Sequence, residues 1–226
     1  MIKKNLGTLD CFIIETDTGE KPKHAVILLH GYGADGKDLI SLGNDWKDFL
    51  PETVFIAPNA PDICDDTPFG RQWFPLNRFT KDAMLEQMMA IAPKISKHIE
   101  DIIDHYSVPP SRVTLCGFSQ GCMLALEIAL TAENPYAGLL GYSGMLLNDD
   151  MASLTNKETL IHMIHGTADM VIPSSEWNHT TKSLTEAGYQ VSGYKTKGLA
   201  HGIDREGIDS GKHFIKMCSA EKSSAI

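Results

Sequence analysis

The pentapeptide Gly117-Phe118-Ser119-Gln120-Gly121 constrains this chain more than any other stretch. Before it stands Val113-Thr114-Leu115-Cys116, an apolar run of strand type. After it comes a run from Cys122 to Leu130, long and apolar enough for a buried helix. A strand that turns directly into a helix through two glycines holds the serine between them on a sharp, strained corner, its hydroxyl exposed. The same five residues also suit a plain helix N-cap serine between a turn glycine and a packing glycine. Whether the rest of the chain supplies partners for a serine nucleophile decides between the two.

The periodicity along the chain sets the frame for those partners. Leu9 to Glu15 reads as an edge strand, ended by the turn Asp17-Thr18-Gly19-Glu20, and Ala25 to Leu29 as a central strand buried on both faces. A glycine-rich loop, His30 to Gly36, leads into a helix expected from about Lys37 to Phe49, and Val54 to Ala57 is the next strand. Asn59 to Thr80 is a long irregular connection carrying Trp73, Phe74 and Phe79; a loop of that length inside a compact domain is usually functional. Ala83 to Tyr106 has helical period, and Pro93 predicts a division into two consecutive helices. Further strands are read at Ala137–Tyr142, Leu160–His165 and Val191–Lys195, with helices at Ser174–Ala187 and Asp204–Cys218 and a frayed tail. Strands alternating with helices predict an α/β fold, a mostly parallel central sheet with helices on both faces. Without repeats, linkers or low-complexity tracts, residues 1–226 read as one domain.

Composition narrows the function classes. The formal net charge of −9 argues against nucleic-acid binding and against electrostatic attraction to anionic lipid. No stretch approaches the roughly 18 apolar residues of a membrane helix, and Met1 to Gly7 has lysines but no apolar core behind them, unlike a secretory signal. The five cysteines are odd in number and lack metal-ligand spacing. Cys116 and Cys122 sit inside apolar runs as buried free thiols would, which points to a reducing, cytoplasmic setting.

Ligands of such sheets bind outside the carboxyl ends of the strands, so polar residues that directly follow strands are the candidates. Ser119 follows one; Asp169 follows the strand ending at His165, and His201 the strand ending at Lys195. The order Ser…Asp…His is that of the α/β-hydrolase fold. A serine hydroxyl needs a base within hydrogen-bond reach, neutral imidazole can take its proton and return it to a leaving group, and a carboxylate behind the imidazole fixes its tautomer. Of the nine histidines, His30 is the main rival to His201, but it precedes Ser119. His162 and His165 share a strand without further ligands at metal spacing. The oxyanion of acyl transfer needs donors, expected from the backbone N–H of Gln120 and, in the glycine-rich loop, of Tyr32. That loop lacks both common phosphate-binding patterns. No cofactor and no metal are implied.

The chain resembles the phospholipase/carboxylesterase family of α/β-hydrolases, which includes the acyl-protein thioesterases. The matching segments are Leu28 to Gly36, Arg71-Gln72-Trp73-Phe74, Gly117 to Gly121, His165 to Asp169 with Ile172-Pro173, and Gly198-Leu199-Ala200-His201. The resemblance implies a serine esterase acting on carboxylic esters or thioesters, with Ser119 as nucleophile, His201 as base, Asp169 as its orienter, and Tyr32 and Gln120 as oxyanion donors. It implies Trp73, Phe74 and Met145 at the substrate pocket, and residues 59–90 as an irregular pocket or lid segment. Of Met84, Leu85, Met88 and Met89, which could line an acyl channel, a core-facing stripe is the simpler expectation. Tyr32 stands where many relatives have leucine, and Cys122 where they have a small residue. A lysophospholipase-type activity, a lactone-opening hydrolase of the same fold and a catalytically silent binding module are the alternatives. A homodimer is a further expectation, since relatives often dimerise.

Overall fold

The computed structural model describes residues 1–76 and 80–220, so that Phe79 and most of the tail beyond the last helix lie outside the described residues. Ten strands are present among them: β1 (Ile2–Leu6), β2 (Leu9–Ile14), β3 (His24–Leu29), β4 (Thr53–Pro58), β5 (Asp62–Ile63), β6 (Arg71–Gln72), β7 (Val113–Phe118), β8 (Gly138–Tyr142), β9 (Leu160–Gly166) and β10 (Val191–Thr196). Six α-helices accompany them: α1 (Gly36–Leu39), α2 (Ser41–Trp46), α3 (Lys81–Tyr106), α4 (Gln120–Thr131), α5 (Ser174–Glu186) and α6 (Arg205–Ser219). Eight strands form one sheet in the order β1-β2-β4-β3-β7-β8-β9-β10, and β5 and β6 pair separately as a small hairpin. Neighbours from β4 to β10 run parallel, whereas β2 is antiparallel to both β1 and β4.

The chain leaves β3 toward β4 on one side and returns to β7 on the other. A crevice therefore opens between the carboxyl ends of β3 and β7, the switch point where such sheets bind ligands. Both strands are apolar and buried because helices cover both faces. On one face Met88, Ile95 and Ile99 of α3, Met123 to Leu126 of α4 and Leu184 of α5 pack in one cluster. On the other, Leu39, Leu42 and Trp46 of α1 and α2 meet Phe214 and Ile215 of α6. Every residue of α4 from Gln120 to Leu130 is buried, which explains why its sequence lacks a polar stripe.

Three elements differ from the sequence expectation. The edge strand is β1, which pairs along its whole length with β2 and makes the latter internal; its polar, lysine-bearing face suits an exposed edge. One helix, α3, runs through Pro93 instead of dividing there. Pro93 lies on the solvent side, where a carbonyl freed one turn earlier can be hydrated, while Met84, Met88, Ala92, Ile95 and Ile99 keep an unbroken buried stripe. The single helix expected from Lys37 is two short ones, the first capped by Asp35, whose side chain accepts the Asp38 N–H at 3.0 Å. Among the described residues no helix is long and apolar enough to cross a membrane.

Candidate active site

Ser119 occupies the turn between β7 and α4 with φ 53° and ψ −118°, a left-handed conformation that costs a non-glycine residue on the order of 1–3 kcal/mol. The surroundings force it. A Cβ on Gly117 would lie 2.5 Å from Gly121 O, and one on Gly121 would lie 2.0 Å from Leu29 O, so both flanking glycines are required by close backbone approach. The Ser119 N–H donates to Tyr142 O at 2.9 Å and its carbonyl accepts from Cys122 and Met123, which starts α4. Ser119 stands at the N-cap position of α4, but its side chain makes no capping bond. Cys122 is accommodated by Gly141 and Gly144, each with no side chain where the thiol packs.

Asp169 and His201 are brought together from separate loops. Asp169 Oδ2 lies 2.7 Å from His201 Nδ1, the shortest contact of this carboxylate. Its other oxygen accepts the N–H groups of Val171 and Ile172, both at 2.9 Å. The carboxylate is fully buried, whereas the imidazole keeps 19 % of its surface. That network makes Nδ1 of His201 the protonated nitrogen and leaves Nε2 as an acceptor. Main-chain bonds stitch the two loops: Thr167 N–H to Thr196 O and Ala168 N–H to Leu199 O, both 2.9 Å, with Gly198 N–H to Thr167 Oγ1 at 2.8 Å. His165 lies behind them, fully buried, with Nε2 donating to Ile172 O at 2.8 Å; it buttresses the turn that carries Asp169.

Ser119 and His201 border one cavity, and Phe118 packs its ring against the imidazole at 4.9 Å between centroids. No direct hydrogen bond joins Ser119 to His201 among the described residues; in free enzymes such bonds are often long and tighten only around substrate.

His30, the rival base, is a framework residue. Its Nε2 accepts the Ala60 N–H at 3.0 Å and Nδ1 donates to Gly31 O at 2.8 Å, which requires the neutral ring. Burial holds its pKa down at about 4. The segment Arg71 to Phe74 is framework too. Arg71 exchanges backbone bonds with Gly33 and Ala34, and Trp73 Nε1 donates to His30 O at 2.8 Å. Trp73 and Phe74 are 0 % and 1 % exposed and are not among the residues that line the cavity; the Trp73 ring fixes His30, at the start of the loop that carries Tyr32. The Gln120 side chain closes this arrangement, accepting the Trp73 N–H at 2.9 Å and donating to Phe74 O at 2.7 Å. Sequence reasoning assigned Gln120 a backbone role and missed the side chain. An amide at a helix start, inside an otherwise apolar run, was the available signal.

The cavity has a volume of about 470 Å³. Tyr32, Gln120 and Met145 line it, and Leu76, Met84 and Met123 supply apolar walls that the sequence left unassigned or read as core. Met88 is indeed core, and Met89 points to solvent. As the first residue of α4, Gln120 has a backbone N–H with no acceptor inside the helix. At the rim Lys81 pairs with Asp149 at 2.7 Å, and His179 reaches the other Asp149 oxygen at 3.1 Å. Among the described residues no group of acidic, histidine or cysteine side chains could hold a metal ion.

The sequence model of the phospholipase/carboxylesterase family matches residues 9–219. The acyl-protein thioesterase 1 of Schizosaccharomyces pombe is 32 % identical over 198 residues, 80 % of this chain and 84 % of the yeast protein. That of Emericella nidulans is 28 % identical and covers 92 % of this chain and 95 % of its own length. Among solved structures, esterase PE8 is 33 % identical with a TM-score of 0.88 over 92 % of this chain and 98 % of that one. The Bacillus cereus carboxylesterase, 17 % identical, shares the fold with a TM-score of 0.77 over 93 % and 94 % of the two chains. With its sheet, its serine corner and this match over nearly its whole length, the chain belongs to the phospholipase/carboxylesterase family of α/β-hydrolases, which hydrolyse carboxylic esters and thioesters.

Proposed function

We propose that Ser119, His201 and Asp169 form the catalytic triad and that hydrolysis proceeds through an acyl-enzyme on Ser119. The observation that carries this reading is the 2.7 Å bond from the buried Asp169 carboxylate to His201 Nδ1, at the edge of the cavity that Ser119 also borders. His201 Nε2 takes the hydroxyl proton as Ser119 Oγ attacks the carbonyl carbon. The oxyanion then sits between the backbone N–H groups of Tyr32 and Gln120, at the positive end of α4. As the tetrahedral adduct collapses, the same nitrogen gives its proton to the departing oxygen or sulfur, and a water repeats the sequence to release the acid. Asp169 stays ionised throughout and stabilises the imidazolium.

Apolar walls at Leu76, Met84, Met123 and Met145 suit the acyl part of the substrate, and methionines adapt to chains of different shape. Leu76 and Met84 support the reading of residues 59–90 as the segment that borders the substrate. The thioesterase relatives support acyl groups on protein thiols as one substrate type. None of the five cysteines is joined in a disulfide, which supports a reducing compartment such as the cytoplasm. The test is hydrolysis of a panel of nitrophenyl and thiol esters by the native protein and by Ser119→Ala, with a fluorophosphonate probe as a label for the nucleophile. Native protein is expected to hydrolyse the panel and take the label; the variant loses both. Undiminished turnover by Ser119→Ala would remove the serine from the mechanism.

A further inference from the structure

The sheet has two outer edges, and they are finished differently. On β1 the side chains of Lys3 and Lys4 stand exposed, a common guard against pairing with another chain. β10 closes the other edge, with β9 on one side and no neighbour on the other among the described residues. Gln190 O and Thr196 O accept the N–H groups of Ile161 and Thr167, so the even-numbered residues face β9. In a parallel ladder a residue turns both its main-chain groups to the same side, which leaves those of Val191, Gly193 and Lys195 pointing outward. The cation within β10 does not guard this edge. Lys195 folds back over α5, where its Nζ donates to Asn178 Oδ1 at 2.8 Å and lies 5.4 Å from the centroid of the Trp177 ring.

Beside the strand runs a groove of about 420 Å³, lined by Trp177, Thr181 and Thr185 of α5 and by Val191 and Gly193 of β10. Thr181 and Thr185 turn their hydroxyls back to Trp177 O and Thr181 O, at 2.8 and 2.7 Å, so the polar atoms of this stripe are satisfied within the helix. Lys182 and Glu186 rim the groove, both exposed and 3.9 Å apart. We propose that this edge and the α5 stripe bind a second copy of the chain about a two-fold axis, joining the two sheets through β10. The face is complementary to itself. In an antiparallel register centred on Gly193, Val191 lies opposite the second copy's Lys195, and each outward-facing pair exchanges two main-chain bonds. Gly193, without a side chain, meets its own copy at the axis, and no cation of the strand faces another. α5 packs on β9 and β10 alike. With strands about 4.8 Å apart, an axis at the edge of β10 sets α5 about 10 Å from its mate, the distance at which helices pack. Each groove then receives the other copy's helix, and Lys182 and Glu186 of both copies gather into a neutral cluster. An extended segment of a different protein would pair with the strand but leave the α5 stripe bare, so a second copy is the occupant that covers the whole face.

Sedimentation velocity over a dilution series tests the proposal, with charge reversals at exposed positions away from the cavity. Lys182→Glu and Glu186→Lys each collect like charges around the axis and should weaken the native dimer by about tenfold or more. The double reversal restores both signs and should recover the native affinity. Amide exchange followed by NMR reads the strand: the N–H groups of Val191, Gly193 and Lys195 should be protected in the native dimer and exchange freely in either single variant at the same concentration. Circular dichroism checks that each variant is folded. A native protein that stays monomeric throughout the series overturns the interface. So does a dimer that the single reversals leave intact, or one in which those three N–H groups exchange freely. None of these results bears on the triad reading.

Discussion

Cutting back the Gln120 side chain tests how the loop that carries Tyr32 is held. In Gln120→Ala the backbone N–H proposed as an oxyanion donor remains, but the Trp73 N–H and the Phe74 carbonyl lose their partner. Both residues are buried, as is Gln120 at 2 % exposure. Each stranded buried group costs about 1–3 kcal/mol. The void is polar-walled and admits a water that bonds both groups, which brings the total to the low end, about 2–3 kcal/mol. Urea unfolding followed by tryptophan fluorescence measures it. Activity should fall as well, by about ten- to a hundredfold in kcat/KM, because Trp73 Nε1 anchors His30 O and with it the Tyr32 loop. Gln120→Glu should be less stable than Gln120→Ala, since a carboxylate accepts from Trp73 N–H but faces the Phe74 carbonyl with a buried charge. A loss below about 0.5 kcal/mol in Gln120→Ala, or the reverse order of the two variants, would refute the clamp as a stabilising device.

Two further outcomes follow from the site. Asp169→Asn keeps an oxygen for the Val171 and Ile172 N–H groups but presents an amide N–H₂ to His201, which selects the wrong tautomer; kcat should drop about 10⁴-fold with little change in the unfolding midpoint. Acid should destabilise the fold through His24 and His30, whose pKa values burial lowers from 6.5 to about 4. A depressed folded pKa contributes stability that is fully present above pH 6.5 and lost as pH falls toward 4, about 3 kcal/mol for each ring. Denaturation midpoints measured between pH 7 and pH 4 should fall accordingly, and replacing His24 by Gln should make that fall shallower.

The geometry of the candidate site was legible because it depends on local rules. Gly117 and Gly121 are dictated by backbone approach at a single turn, and Asp169 and His201 each sit just beyond a strand whose apolar run marks its end. What escaped depends on distant partners. Ile2 to Leu6 carries too few apolar residues to register as a strand, yet pairing with β2 makes it one. Pro93 ends helices in isolation, but a buried stripe on either side and a solvent-facing ring let α3 continue. Trp73 and Phe74 have the same composition whether they face a substrate or a core. The bonds from Gln120 and to His30 O, which assign them to the framework, span more than 40 residues of chain.

The stitching between the loops of Asp169 and His201 has a consequence for how this protein tolerates sequence change. The bonds that set the carboxylate–imidazole distance run mostly between main-chain atoms, and Ala168, Lys197 and Ala200 around them are exposed. Side chains there can drift without moving the pair. Gly166 cannot, because a Cβ at that position would lie 2.1 Å from Leu199 O, and neither can Gly198, with its φ of 76°. The most demanding distance in the site is thus written in backbone, in those two glycines and in one exposed side chain, Thr167, whose Oγ1 accepts the Gly198 N–H.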